Sequence, residues 1–163
     1  MSEISDAIQA KCLAFSDRII KLNDYLLEQA SQKYNAGHQK YGMRKSKTSD
    51  LSQPSSFSHR TSRVPVHLQS VAALANQLLR SGTSIGANNA EACNAVSKQD
   101  FRSKSYIALK EARESLYWIE LLHRNNYLDE KQYNSIYADG EELVKILVAR
   151  CKKLDEQLKE EKK

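Results

Sequence analysis

The sequence predicts an all-α fold. The expected architecture is an antiparallel up-down-up-down four-helix bundle in one domain, residues 1–163, with a long flexible insertion between helices one and two. Three observations predict it. Apolar residues recur at alternating steps of three and four along four separate stretches, the period of a single helix face. Glycine and proline are scarce, five and two in 163 residues, and both prolines fall in one polar segment. The last three periodic stretches are joined by only a few residues, which makes consecutive helices antiparallel neighbours.

The first helix is expected over about residues 4–30. Ile4, Ile8, Cys12, Phe15, Ile19, Leu22 and Leu26 form an unbroken stripe. Leu13, Ile20 and Leu27 widen it, as a helix touching more than one neighbour requires. From 31 to 65 the pattern is lost, and Ser, Gln, Lys, Thr, His and Gly dominate. So little apolar surface cannot offset the entropy of ordering, which predicts a flexible insertion. Pro65 then suits the first turn of a second helix over 66–96, where its missing N–H is harmless. Its seam runs through Val71, Ala75, Leu78, Gly82, Ile85, Asn89, Ala92 and Val96.

Gly82, Gly86 and Ala90 lie four residues apart, so they share one face of this helix. Each internal glycine costs a helix about 1 kcal/mol relative to alanine, so a pair of them implies close approach by another backbone. Two readings follow: a tight helix–helix contact, or bared backbone that receives a ligand or partner beside Asn88 and Asn89. The small residues Ser105, Ala108, Ala112 and Ser115 on helix three are the expected facing surface. Asn89 falls in the seam, so partial burial with hydrogen-bond partners is expected, and such an Asn fixes register. Glu91 is the one carboxylate of this small-residue seam, with Lys110 and Arg113 as candidate partners.

Ser97 followed by Asp100 predicts the N-cap of a third helix over 98–124. Leu109, Leu116, Trp118 and Leu121 give it a second apolar flank, with Trp118 as a packing anchor. Asn125 and Asn126 are suited to stop it, because Asn tolerates left-handed backbone. Asp129 and Gln132 are a capping pair for a fourth helix over 129–158. Its stripe is Tyr133, Ile136, Gly140, Leu143, Leu147, Cys151, Leu154 and Leu158.

Charge is the main indication of partners. The net charge is +5, yet segment 31–65 alone holds seven basic residues against Asp50, or +6. The other 18 basic and 19 acidic residues leave −1. Lys33, Lys40, Arg44, Lys45, Lys47, Arg60 and Arg63 are therefore candidate phosphate contacts, interleaved with Tyr34, Tyr41 and Phe57. A solvated linker and a contact for another acidic surface are the alternatives. Arg80, Lys98, Arg102 and Lys104 are candidates for a second nucleic-acid patch on the bundle.

Little else reads as chemistry. His38, His59, His67 and His123 have no partner at metal-ligand spacing, and no phosphate-loop or zinc motif is present. The expectation is no metal, no cofactor and no enzymatic activity. Cys12, Cys93 and Cys151 are expected as reduced thiols. The acidic residues Glu3 and Asp6 argue against a signal peptide, and no run is long enough to span a bilayer, so a soluble, cytoplasmic protein is expected.

The stretch Leu78-Leu79-Arg80-Ser81-Gly82-Thr83-Ser84-Ile85-Gly86-Ala87-Asn88-Asn89-Ala90-Glu91-Ala92 resembles the signature of the bacterial "four helix bundle protein" family. Ser97-Lys98-Gln99-Asp100-Phe101 and the run Ile107 to Trp118 resemble its next segment, and 18–22 and 141–147 its outer helices. The family includes proteins encoded in intervening sequences of large-subunit ribosomal RNA genes. It also includes the accessory variability determinant of diversity-generating retroelements. The resemblance implies a homopentamer, RNA or DNA binding and, in the retroelement branch, docking to a reverse transcriptase. It supplies no catalytic residues. Members commonly have a short connection where this chain carries 31–65. The favoured function is a non-enzymatic oligomeric bundle that binds nucleic acid, RNA above DNA. The alternative is a protein-interaction scaffold with no nucleic-acid role.

Overall fold

The computed structural model describes residues 3–41 and 66–161, and all four expected helices are present: α1 (Glu3–Tyr41), α2 (Val66–Cys93), α3 (Lys98–Arg124) and α4 (Glu130–Glu160). Among the described residues there is no strand. Each helix packs on the next, and α4 closes the ring against α1. Cross-links fix the directions. Gln9 reaches Asn89 and Ser16 reaches Gly82, so α1 and α2 are antiparallel. Ser81 and Ser115 meet between α2 and α3, and Arg102 and Asp155 between α3 and α4.

The stripes form the core. Ile8, Cys12, Phe15, Ile19 and Leu26 of α1 are buried with Val71, Ala75, Leu78 and Ile85 of α2. From α3 and α4 come Ala108, Ala112, Ile119, Leu122, Leu143, Leu147 and Leu154. The punctuation also forms as expected. Ser97 Oγ accepts from the Asp100 N–H at 3.0 Å, and Asp129 with Gln132 makes a reciprocal capping box. Asn126, at φ 58°, turns the chain out of α3.

Four expectations need correction. First, α1 does not end near 30 but runs to Tyr41, so residues 31–41 are helical. Ser31 Oγ donates to the Leu27 carbonyl and Gln32 Nε2 to Glu28 Oε1, bonding this stretch to the turn before it. Extending a formed helix adds a hydrogen bond per residue fixed, so propagation continues where apolar periodicity has stopped. The rest of the expected insertion, 42–65, lies outside the described residues. Second, α2 ends at Cys93, short of Val96. The N–H groups of Asn94 and Ala95 bond back three residues, and the Val96 N–H donates to the Asp100 carboxylate. Val96 is left 94 % exposed.

Third, Leu13 and Ile20 do not widen the core face: they are 57 % and 43 % exposed. Fourth, the glycine ridge meets α1 and not α3. A Cβ on Gly82 would stand 2.9 Å from Ile19 Cγ1, and one on Gly86 would stand 3.4 Å from Cys12 Cβ. The neighbouring residue Ser81 is the one that meets α3, bonding with the Ser115 hydroxyl at 3.0 Å. Gly82 and Ser81 are about 100° apart around the helix, enough to serve two neighbours.

The two ridge glycines should respond oppositely to alanine. Gly82→Ala forces a β-branched side chain to move, and is expected to destabilise by about 1–2 kcal/mol despite better helix propensity. Gly86→Ala meets only ordinary contact and should be neutral or stabilising by up to about 1 kcal/mol. Urea unfolding of the two variants checks this. Equal destabilisation would contradict the assignment of Ile19 as the close neighbour.

Candidate nucleic-acid interface and the polar seam

The bared backbone of the ridge is used inside the bundle. Ser16 Oγ donates to the Gly82 carbonyl and Gln9 Nε2 to the Gly86 carbonyl, each at 3.4 Å. One turn further on, Asn89 is 0 % exposed, as its place in the seam required. Its amide donates to Gln9 Oε1 and accepts from Arg150 Nη1 at 2.6 Å. A single side chain thereby links α1, α2 and α4. Asn88 instead donates to the Ser84 carbonyl within α2. Ala90 is half-buried, and Glu91 is exposed and paired with Lys104. Lys110 and Arg113, the expected partners of Glu91, lie further along α3. The antiparallel register brings Lys104 level with Glu91 instead.

Arg150 escaped the sequence reading. The signal available was its place between Leu147, Cys151 and Leu154, three core positions of α4. Its guanidinium lies 5.5 Å from the Phe101 ring centre. Burial lowers its pKa from the usual guanidinium value, while the nearby cysteines oppose that shift. Burial in turn pushes the Cys12 thiol up to about 11 and raises that of Cys151, so both stay protonated at neutral pH. All three cysteines are free thiols.

Three of the four candidate cations of the bundle are held by carboxylates. Lys98 pairs with Glu161, Arg102 with Asp155 and Lys104 with Glu91. The three share the first two turns of α3. Arg80 stands apart from them on α2, near Glu111, whose carboxyl is raised by burial and by Glu114 and lowered by Arg80. Lys33 is an exposed residue of α1, and Lys40 belongs to the same helix. Arg44, Lys45, Lys47, Arg60 and Arg63 lie outside the described residues.

The profile of the 23S rRNA-intervening sequence protein family matches residues 59–149. The chain belongs to this family. A crystal structure of a protein of unknown function from the S23 ribosomal protein family of Bacteroides thetaiotaomicron is similar over 91 % of this chain and 98 % of that one. Identity there is 33 % and the TM-score 0.65. No curated protein matches the chain. The family segment takes in α2, α3 and α4 as far as Ala149. It therefore includes the glycine ridge and Asn89 but stops one residue before Arg150. Among the described residues, no helix is long and apolar enough to cross a membrane.

The α3–α4 link of this family member runs through a carboxylate, which ties its contribution to pH. The Tyr106 hydroxyl donates to Asp155 Oδ2 at 2.6 Å, and Arg102 Nε donates to Oδ1. These bonds, the first the larger, hold the Asp155 carboxyl below its ordinary value. A carboxyl depressed in the folded state contributes stability above its unfolded pKa, about 4, and loses it as pH falls through the folded value. Asp155→Asn should therefore lower the urea midpoint at pH 7 and have little effect near pH 2. A difference from the wild type that does not change with pH would contradict this account.

Proposed function

We propose that this chain is a non-enzymatic, self-assembling helical bundle that binds RNA. The observation that carries the reading is the placement of charge. Segment 31–65 holds a net +6 and the remainder −1, while five lysines and arginines of the bundle are paired with carboxylates of other helices. The positive excess is therefore concentrated in one segment, which suits contact with a phosphate backbone. The family's description names 23S rRNA intervening sequences, and that association is the reason RNA is chosen here over other polyanions. Self-assembly draws support from Leu13 and Ile20, two apolar residues on one exposed face of α1, and the homopentamer is the stoichiometry that the family resemblance implies. The same two residues favour a second reading, a protein-interaction scaffold whose basic segment has no ligand.

Anisotropy with a labelled single-stranded RNA across a salt series separates the two. Affinity should fall steeply with salt, and replacing Arg44, Lys45, Lys47, Arg60 and Arg63 with Ser should flatten the log–log slope by about 3. Negligible binding at low salt would leave the scaffold reading. Sedimentation of the same protein should give about five times the 18.5 kDa chain mass. A stable monomer would refute self-assembly.

A further inference from the structure

Of the cations expected to form a patch on the bundle, Lys98, Arg102 and Lys104 are engaged by carboxylates, but another set is not. On α4, Lys145, Val148, Lys152, Asp155 and Lys159 step by three and four and so form one row. On α3, Tyr106, Lys110, Arg113 and Tyr117 form another. The bond from Tyr106 to Asp155 ties the two rows together across the α3–α4 seam. Lys110, Arg113, Lys152 and Lys159 have no hydrogen-bonded carboxylate partner among the described residues. Lys145 contributes a fifth cation, in a loose 3.4 Å exposed contact with Glu141.

Several carboxylates of this surface are engaged: Asp155 is held by Tyr106 and Arg102, Glu141 by Lys145 and Glu114 by Trp118, which leaves Glu156 and Glu160 as the exposed acids of this end of α4. Along the α3 row lies a shallow groove of about 260 Å³, lined by Gln99, Arg102, Ser103, Tyr106, Ile107 and Lys110, all of α3. Tyr117, 59 % exposed, stands at the far end of the α3 row. An aromatic face beside free cations is the arrangement that takes stacked bases and backbone phosphates together.

We infer that the outer α3–α4 seam is a single-stranded RNA-binding surface, with Lys110, Arg113, Lys152 and Lys159 on phosphates and Tyr117 on a base. This rests on the RNA-binding reading above and assigns it a second surface, separate from segment 31–65. Lys98, Arg102 and Lys104 are then structural cations.

The test uses the full chain and a labelled 20-nucleotide single-stranded RNA across a salt series. A variant carrying Lys110→Gln, Arg113→Gln, Lys152→Gln and Lys159→Gln should bind at least tenfold more weakly at low salt. Its log–log salt slope should be shallower by about 3, with an unchanged melting temperature because all four positions are exposed. Tyr117→Ala should weaken binding by about tenfold and leave the slope intact. A wild-type protein that binds RNA together with a quadruple variant of equal affinity and slope would overturn this surface while sparing the RNA reading. No binding by the wild type would overturn both. Loss of binding to anionic vesicles with RNA binding unaffected would likewise overturn it.

Discussion

The close approach of α1 to α2 is the constraint on which the rest of the bundle depends. Gly82 lets Ile19 sit where a Cβ would be, and Gly86 does the same more loosely for Cys12. Bringing helices this close exposes backbone carbonyls to a neighbour, and Ser16 and Gln9 take them. The same geometry places Gln9 against Asn89, and Asn89 against Arg150. A polar group buried without partners costs about 1–3 kcal/mol, and a charged one more. The contact therefore works in one register only: a slip of α1 by one turn takes Gln9 Oε1 away from the buried Asn89 amide. The apolar stripes alone would tolerate such a slip far better.

Electrostatics plays a different part. Exposed ion pairs contribute about 0–1 kcal/mol each, so Lys11–Glu142, Arg18–Asp139 and Lys98–Glu161 do little to hold the helices together. Their larger consequence is to cancel charge over much of the surface. Among the cations left without such a partner are those of the basic segment between α1 and α2 by sequence and, by structure, Lys110, Arg113, Lys152 and Lys159 along the α3–α4 seam. Directed charge of this kind governs encounter with polyanions.

Much of the fold was legible because its signals are local. The three-and-four stepping of Phe15, Ile19, Leu78, Ile85, Ile119 and Leu147 predicts both helix and buried face, and all six are buried. Ser97 and Asp129 cap because a side-chain oxygen next to free N–H groups suffices. The failures share a cause. Periodicity gives a face but not the helix that face meets, so the glycine ridge was referred to α3 when it meets α1. Pairing of Glu91 depended on register between α2 and α3, which favoured Lys104 over Lys110 and Arg113. Residues 31–41 are helical by continuation from a stable helix, and no pattern of their own announces it. Arg150 sits on the edge of the α4 stripe, where a long side chain can reach inward or outward. Asn89 of α2 and the Phe101 ring of α3, both distant in sequence, draw it inward.

A double-mutant cycle between Asn89 and Arg150 tests this account most directly. Asn89→Ala, Arg150→Met and the double variant, each unfolded in urea, give the coupling between the two side chains. If the hydrogen bond from the half-buried guanidinium holds Asn89 in place, the coupling is about 1.5–3 kcal/mol. Additive effects, with coupling near zero, would contradict it.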